Sequence, residues 1–168
     1  MTKIHFTIIS LIFLPVSLIA DPGGKGKGKG KGGMGGPLPA EQREIIHEMA
    51  RLHDQLTRKV TLIEKGYTAT TTSKNKDLVT KLKTHLRYMK KRLDSGAMVR
   101  RWDPAYAELT EYYPQLTTKI EELPNGLKVT ITGKTPKAIK VARNHAKIVS
   151  GFVKKGEDAL HNEHPTAN

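Results

Sequence analysis

The hydrophobic positions of this chain change their spacing in the same order twice. From about Ala40 to Thr57 apolar residues recur every three to four positions, as on one face of a helix. The next stretch alternates apolar and polar residues around Gly66, which is typical of a half-buried hairpin, and helical spacing then returns until Gly96. The same order follows between Pro104 and Gly156. The pattern predicts helix, hairpin and helix, repeated once.

A shift of sixty residues superimposes the two halves without a gap. We therefore predict an α+β fold of internally duplicated αββα units (helix–β-hairpin–helix twice) with pseudo-twofold symmetry. Repeat 1 covers about residues 40–99 and repeat 2 about 100–160, within a single duplicated domain at 40–160. Matched positions include turn glycines, helix-end glycines and histidines: Gly66 with Gly126, Gly96 with Gly156, and His85 with His145.

Local signals predict where several elements end. The helix that begins at Pro104 should end or kink at Pro114, because proline has no N–H to continue the hydrogen-bond ladder. Asn125-Gly126 is predicted to supply the positive φ angles of a tight hairpin turn. Residues 161–168 follow the last helix and are predicted to form a flexible C-terminal tail.

The N-terminal segment lies outside the repeat. Residues 1–20 have an early lysine, an apolar run and a small residue at the end, which is typical of a signal peptide. This predicts an exported protein, periplasmic or secreted, with no transmembrane span in the mature chain. Residues 21–39 are rich in glycine and lysine and predict a disordered linker, since they offer little to offset the entropy cost of ordering.

The charge of the chain favours anionic partners. Its formal net charge is +13, which draws a protein to an anionic envelope polymer or a lipid surface. Nucleic acid has the same charge, but an exported protein rarely meets it. The linker is predicted to contribute four polyanion contacts, namely Lys25, Lys27, Lys29 and Lys31.

The sequence offers little chemistry for catalysis. The absence of cysteine excludes disulfides, thiolate metal sites, covalent haem attachment and a thiol nucleophile. The chain also lacks a nucleophile elbow, a His-Glu-x-x-His motif, a phosphate loop and a dinucleotide fingerprint. We therefore expect a non-enzymatic protein.

Three histidines fall within the apolar stripes of separate predicted helices, namely His53, His85 and His145. Tyr113 takes the place of His53 in the second half. If the repeat axis brings these helices together, the four side chains point at one centre between them. A metal or haem iron there would give the buried imidazoles a partner.

Other side chains extend this candidate site. Met49 and Met89 each lie four residues from a stripe histidine. Imidazole with thioether suits copper, while His/His, His/Met or His/Tyr pairs suit haem iron. His161 and His164 near the C-terminus form a weaker second candidate metal site.

The histidines also have a structural interpretation. A buried imidazole can bond to a carbonyl or a tyrosine within an ordinary core network. Two hypotheses follow. The first is an exported, non-enzymatic protein that holds haem or a copper ion between helices through buried histidines. The second is a basic, envelope-associated or polyanion-binding protein whose histidines are structural. A homodimer is compatible with either hypothesis.

Overall fold

The computed structural model describes residues 36–168, so the predicted signal peptide and the four linker lysines lie outside the described residues. Three short 3-10 turns accompany the helices, at His53–Gln55, Tyr113–Gln115 and Gly156–Ala159. Between residues 36 and 168, no helix combines the length and apolar character needed to span a membrane. The helices and strands are α1 (Ala40–Arg51), β1 (Thr57–Ile63), β2 (Gly66–Thr72), α2 (Lys76–Asp94), α3 (Pro104–Tyr112), β3 (Leu116–Leu123), β4 (Gly126–Gly133) and α4 (Pro136–Lys155).

The four strands form one antiparallel sheet in the order β1-β2-β4-β3. The two central strands pair with Ala69 opposite Val129. Four helices accompany this sheet, so the predicted α+β class is confirmed. Alternate residues of the central strands are buried against Ala142 and Ala146 of α4. Side chains on the opposite face of the sheet, such as Thr130, are partly exposed.

A second core joins α3 to α4. Tyr106 and Leu109 of α3 are buried together with Val141 and Ile148 of α4. Met89 of α2 packs against the same cluster. The helix α4 therefore lies between the sheet on one side and α3 on the other, which makes it the central helix of the domain.

One predicted helix ends earlier than expected, and another ends close to its predicted end. The helix predicted from Ala40 to Thr57 stops at Arg51 and is followed by a 3-10 turn, because Thr57 already pairs with Thr72 in the sheet. The helix that begins at Pro104 ends at Tyr112, so the predicted end near Pro114 is confirmed, and Pro114 itself lies in a 3-10 turn.

The prediction that Asn125-Gly126 supplies positive φ angles to the hairpin turn is wrong. Among residues 36–168, positive φ angles occur only at Gly96, Arg100 and Gly156. The turn itself is Pro124-Asn125, and the proline ring holds φ negative at its first position. Gly126 begins β4 instead, and a Cβ there would lie 2.0 Å from the Thr71 carbonyl oxygen. This glycine permits close strand approach.

The predicted flexible tail packs against the domain. Ala167 is buried, and its N–H donates to Glu108 Oε2 at 2.7 Å. The Ala105 N–H donates to the His164 carbonyl oxygen at 3.2 Å. These contacts join residues 164 and 167 to α3, and nothing in the local sequence of either segment predicts them. The segment 161–168 is therefore a docked part of the domain.

Candidate functional site

His53 does not point into a shared centre between helices. The 3-10 turn after α1 directs its ring to the C-terminal end of α4, where Nδ1 donates to the Val153 carbonyl oxygen at 3.0 Å. The ring lies so close to Gly156 that a Cβ on this residue would be 2.3 Å from His53 Cδ2. His53 thus fixes the end of α4, a role that follows from the early end of α1.

His85 and His145 lie in the middle of α2 and α4, as predicted. His85 Nδ1 is buried and has no hydrogen-bond partner within the part of the chain that the structure describes. The ring of His145 meets Tyr106 edge-on, with 5.8 Å between ring centroids. Burial lowers the pKa of His85 to about 4, and burial together with the charge of Arg58 lowers the pKa of His145 to about 4. Both imidazoles are therefore neutral at pH 7.

The three stripe histidines do not assemble into one metal site. In the range 36–168, no group of three His, Asp or Glu side chains is placed to hold a metal ion. Tyr113, the predicted counterpart of His53, donates its hydroxyl to Asp94 Oδ1 at 2.8 Å. Met89 belongs to the second core, and Met49 is a half-buried residue of α1. The predicted convergence fails because the turn after α1 carries His53 away.

The proposed His161 and His164 pair is also separated by its contacts. His164 Nδ1 lies 2.7 Å from Asp103 Oδ2, and its ring meets Phe152 edge-on. His161 is exposed. Asp103 is fully buried and also accepts from the His164 N–H and from Arg100 Nε. Asp103 also caps α3 by accepting from the Ala105 N–H at 3.1 Å, and the local sequence gives no signal for its second role, which is to anchor the C-terminal segment.

The lysines of α4 differ from the basic residues of α2 in their partners. On α2, Lys81 pairs with Glu48 at 2.9 Å and Lys90 pairs with Asp94 at 2.6 Å. Four lysines of α4 have no carboxylate partner among the residues described by the structure, and all are exposed: Lys140, Lys147, Lys154 and Lys155. We call the first three of these, which lie seven residues apart, the lysine stripe.

An open groove of about 410 Å³ runs between the edge strand β1 and α4. Its floor is apolar and includes Val60, Ala146 and Leu62, and Leu62 is 61% exposed. Its rim is cationic and consists of Arg143, Lys147 and Lys154. We call this the β1–α4 groove.

Arg143 is held in place at one end of the β1–α4 groove. Its Nη2 donates to the Ile63 carbonyl oxygen at 2.8 Å and to the Glu64 carbonyl oxygen at 3.0 Å. Its Nε donates to the Gly66 carbonyl oxygen at 3.3 Å. These carbonyls neutralise no charge, so the guanidinium remains a fixed cation beside the groove.

Comparison with known proteins gives no assignment for this groove or for the buried histidines. The chain matches no protein family model, no curated protein and no solved structure.

Proposed function

We propose that the chain is an exported, non-enzymatic protein whose cationic domain attaches to an anionic envelope polymer or lipid surface. The observation that carries this proposal is the lysine stripe. Lys140, Lys147 and Lys154 follow one side of α4 without carboxylate partners in the described part of the chain. Uncompensated like charges on one surface create a potential that attracts polyanions. On this proposal the histidines of the core are structural.

The Gly/Lys segment would add a second point of attachment. Residues 21–39 precede the domain in the sequence and contain Lys25, Lys27, Lys29 and Lys31. Two linked binding elements on one surface act at high effective concentration, so the pair binds more tightly than either alone. Exposed charges are screened by salt, and attachment of this kind should weaken steeply as ionic strength rises.

We infer further that the domain arose by internal duplication and has pseudo-twofold symmetry. Ala69 and Val129, sixty residues apart, face each other in the central strand pair, as they would on a twofold axis. Gln55 and Gln115 each accept a hydrogen bond from the side chain that caps the following long helix. Two further hydrogen bonds repeat with the same shift, from Ser73 N–H to Asn125 O at 2.9 Å and from Gly133 N–H to Lys65 O at 2.8 Å.

Neutralising the lysine stripe should weaken binding to vesicles that contain phosphatidylglycerol. Each lysine near an anionic surface contributes about 1 kcal/mol, so Lys147→Gln with Lys154→Gln should lower the partition coefficient roughly 30-fold. The matched control is Lys59→Gln with Lys74→Gln, which removes the same charge from two other exposed lysines. Sedimentation with vesicles at two salt concentrations measures the partition coefficient of each double variant and its dependence on salt. An equal loss in the control would show that only total charge matters and that the stripe is not a site.

The unpartnered nitrogen of His85 favours a second candidate function. Haem iron or copper bound at His85, with His145 as the second candidate ligand, would supply the partner that Nδ1 lacks among the described residues. Both imidazoles are neutral at pH 7, and neutral imidazole is the form that binds metals. Met89 of the adjoining core is the remaining accessory candidate from the sequence.

Titration with haemin and with copper tests this second candidate. We expect a shift in the haemin absorption spectrum, or a copper charge-transfer band, that disappears in His85→Leu. His47→Leu is the control, because His47 is a partly exposed residue of α1 that lies outside both cores. An unchanged spectrum with the wild-type chain, or an equal response from His85→Leu, would rule out a ligand at this position.

A further inference from the structure

The two edges of the sheet place equivalent residues of the two halves beside a long helix, and these residues differ in charge. At the β3 edge, Glu122 places its carboxylate between two basic residues of α2. Arg87 Nε donates to Glu122 Oε1 at 2.8 Å, and Lys83 Nζ lies 3.7 Å from Oε2. The hydrogen bond from Arg87 is the main cause of the lowered pKa of Glu122. At this edge the protein supplies its own anion to the cations of the helix.

At the β1 edge the cations are present and the anion is missing. A shift of sixty residues places Leu62 at the position of Glu122, Arg143 at that of Lys83, and Lys147 at that of Arg87. The helix retains both positive charges, whereas the strand presents an exposed apolar side chain in place of a carboxylate.

A second acid is replaced in the same groove. Asp94 accepts from Lys90 Nζ at 2.6 Å and from the Tyr113 hydroxyl at 2.8 Å at the end of α2. The position sixty residues later is Lys154, which lines the β1–α4 groove. The groove therefore has three cations and, within the part of the chain the structure describes, no acid in its lining.

We propose that the β1–α4 groove binds an anionic amphiphile, namely a long-chain carboxylate. Its carboxylate lies between Lys147 and Arg143, in the place that Glu122 takes at the other edge. Its hydrocarbon chain covers the apolar floor that includes Leu62. The proposal rests on the cationic surface of the proposed function and assigns a ligand class to part of it.

Charge and apolar surface together select this ligand class. A small inorganic anion would satisfy the cations but leave Leu62 exposed, and a neutral hydrocarbon would leave the charges uncompensated. Hydrogen bonds between lysine or arginine and a carboxylate are charge-assisted and therefore strong. The volume of about 410 Å³ falls within the range of small-molecule sites.

Calorimetric titration of the full chain with dodecanoate, below its micelle concentration, tests the proposal. We expect one dodecanoate per chain and at least tenfold weaker binding of butanoate, which has the same headgroup without the long chain. Leu62→Glu should lower the dodecanoate affinity at least tenfold, because the new carboxylate would occupy the cations as Glu122 does. Leu62→Gln is the matched neutral control and should lose less. Leu62 is exposed, so neither variant disturbs the core.

The reciprocal variant should create a second site. Glu122→Leu frees Arg87 and Lys83 and gives β3 the residue that β1 has at Leu62, so the stoichiometry should rise from one dodecanoate per chain to two. A saturable stoichiometry of two distinguishes a second site from partial unfolding, which would expose apolar surface and bind dodecanoate without a fixed stoichiometry. Unchanged affinity in Leu62→Glu, or one site in Glu122→Leu, overturns the proposal.

Vesicle binding separates this inference from the proposed function. If the lysine stripe governs binding to phosphatidylglycerol vesicles but dodecanoate does not bind, the groove proposal fails and the surface attachment stands. If dodecanoate binds at one site and the vesicles do not, the carboxylate ligand stands and the surface attachment fails.

Discussion

Acidification from pH 7 to pH 4 should lower the free energy of unfolding by about 3 kcal/mol for each of His85 and His145. Burial lowers the pKa of both residues from 6.5 to about 4. Between these values the unfolded chain binds more protons than the folded one, so stability falls as the pH falls. The contribution is complete above pH 6.5, the value for an unperturbed histidine, and is lost as the pH approaches about 4.

Urea unfolding measured at several pH values checks this expectation. His85→Leu should remove about half of the histidine-dependent loss, because leucine does not titrate. It should also preserve stability at pH 7, since the Nδ1 it removes has no partner in the described residues. His161→Leu is the control, because it removes an imidazole that is exposed rather than buried. The same pH dependence in His85→Leu as in the wild type would contradict the burial argument.

The order of elements could be predicted because its signals are local. Asp103 caps α3 through the Ala105 N–H, and Thr135 caps α4 through the Ala138 N–H. Gly96 and Gly156 follow the long helices, as predicted, and both have the positive φ that glycine tolerates there. Each signal depends on neighbours within a few residues, so the sequence alone contains the information.

The features that could not be predicted from the sequence depend on contacts between residues that are distant along the chain. The C-terminal segment was predicted to be flexible because its own composition favours no element, yet Asp103 and Glu108 bind it from about sixty residues away. The pattern of apolar positions also gave no sign that α1 would stop at Arg51. That early end decides where His53 points, and it removes His53 from any site shared with the other two histidines.

The β1–α4 groove could not be predicted from the sequence, because it forms between elements from different halves of the chain. The exchange of Glu122 for Leu62 is visible once the chain is shifted by sixty residues. The effect of this exchange on the charge of the groove depends on tertiary packing, which places α4 from the second half of the chain beside β1 from the first half. The hydrogen bond from Arg143 of α4 to the Ile63 carbonyl oxygen of β1 shows this packing directly. Helical spacing predicts which face of α4 is polar, but it does not predict which strand that face will meet.

Gly126→Ala should cost at least about 3 kcal/mol, a large part of the 5–15 kcal/mol that stabilises a typical domain. The new Cβ would lie 2.0 Å from the Thr71 carbonyl oxygen and 2.8 Å from the Thr72 Cα. Both are backbone atoms of β2, so relief requires the central strands to separate. Gly66→Ala should act similarly, because its Cβ would lie 1.9 Å from the Ile131 carbonyl oxygen.

Gly151→Ala is the matched control and should change stability in the opposite direction. Gly151 lies inside α4, and a Cβ there would meet no described atom within 4 Å. Alanine in a helix interior is more stable than glycine by about 0.5–1 kcal/mol, so the melting temperature should rise. Thermal unfolding followed by circular dichroism compares the variants directly. If Gly126→Ala melted with the wild type, the close approach of β2 and β4 would be wrong, and with it the strand register on which the inferred twofold relation depends.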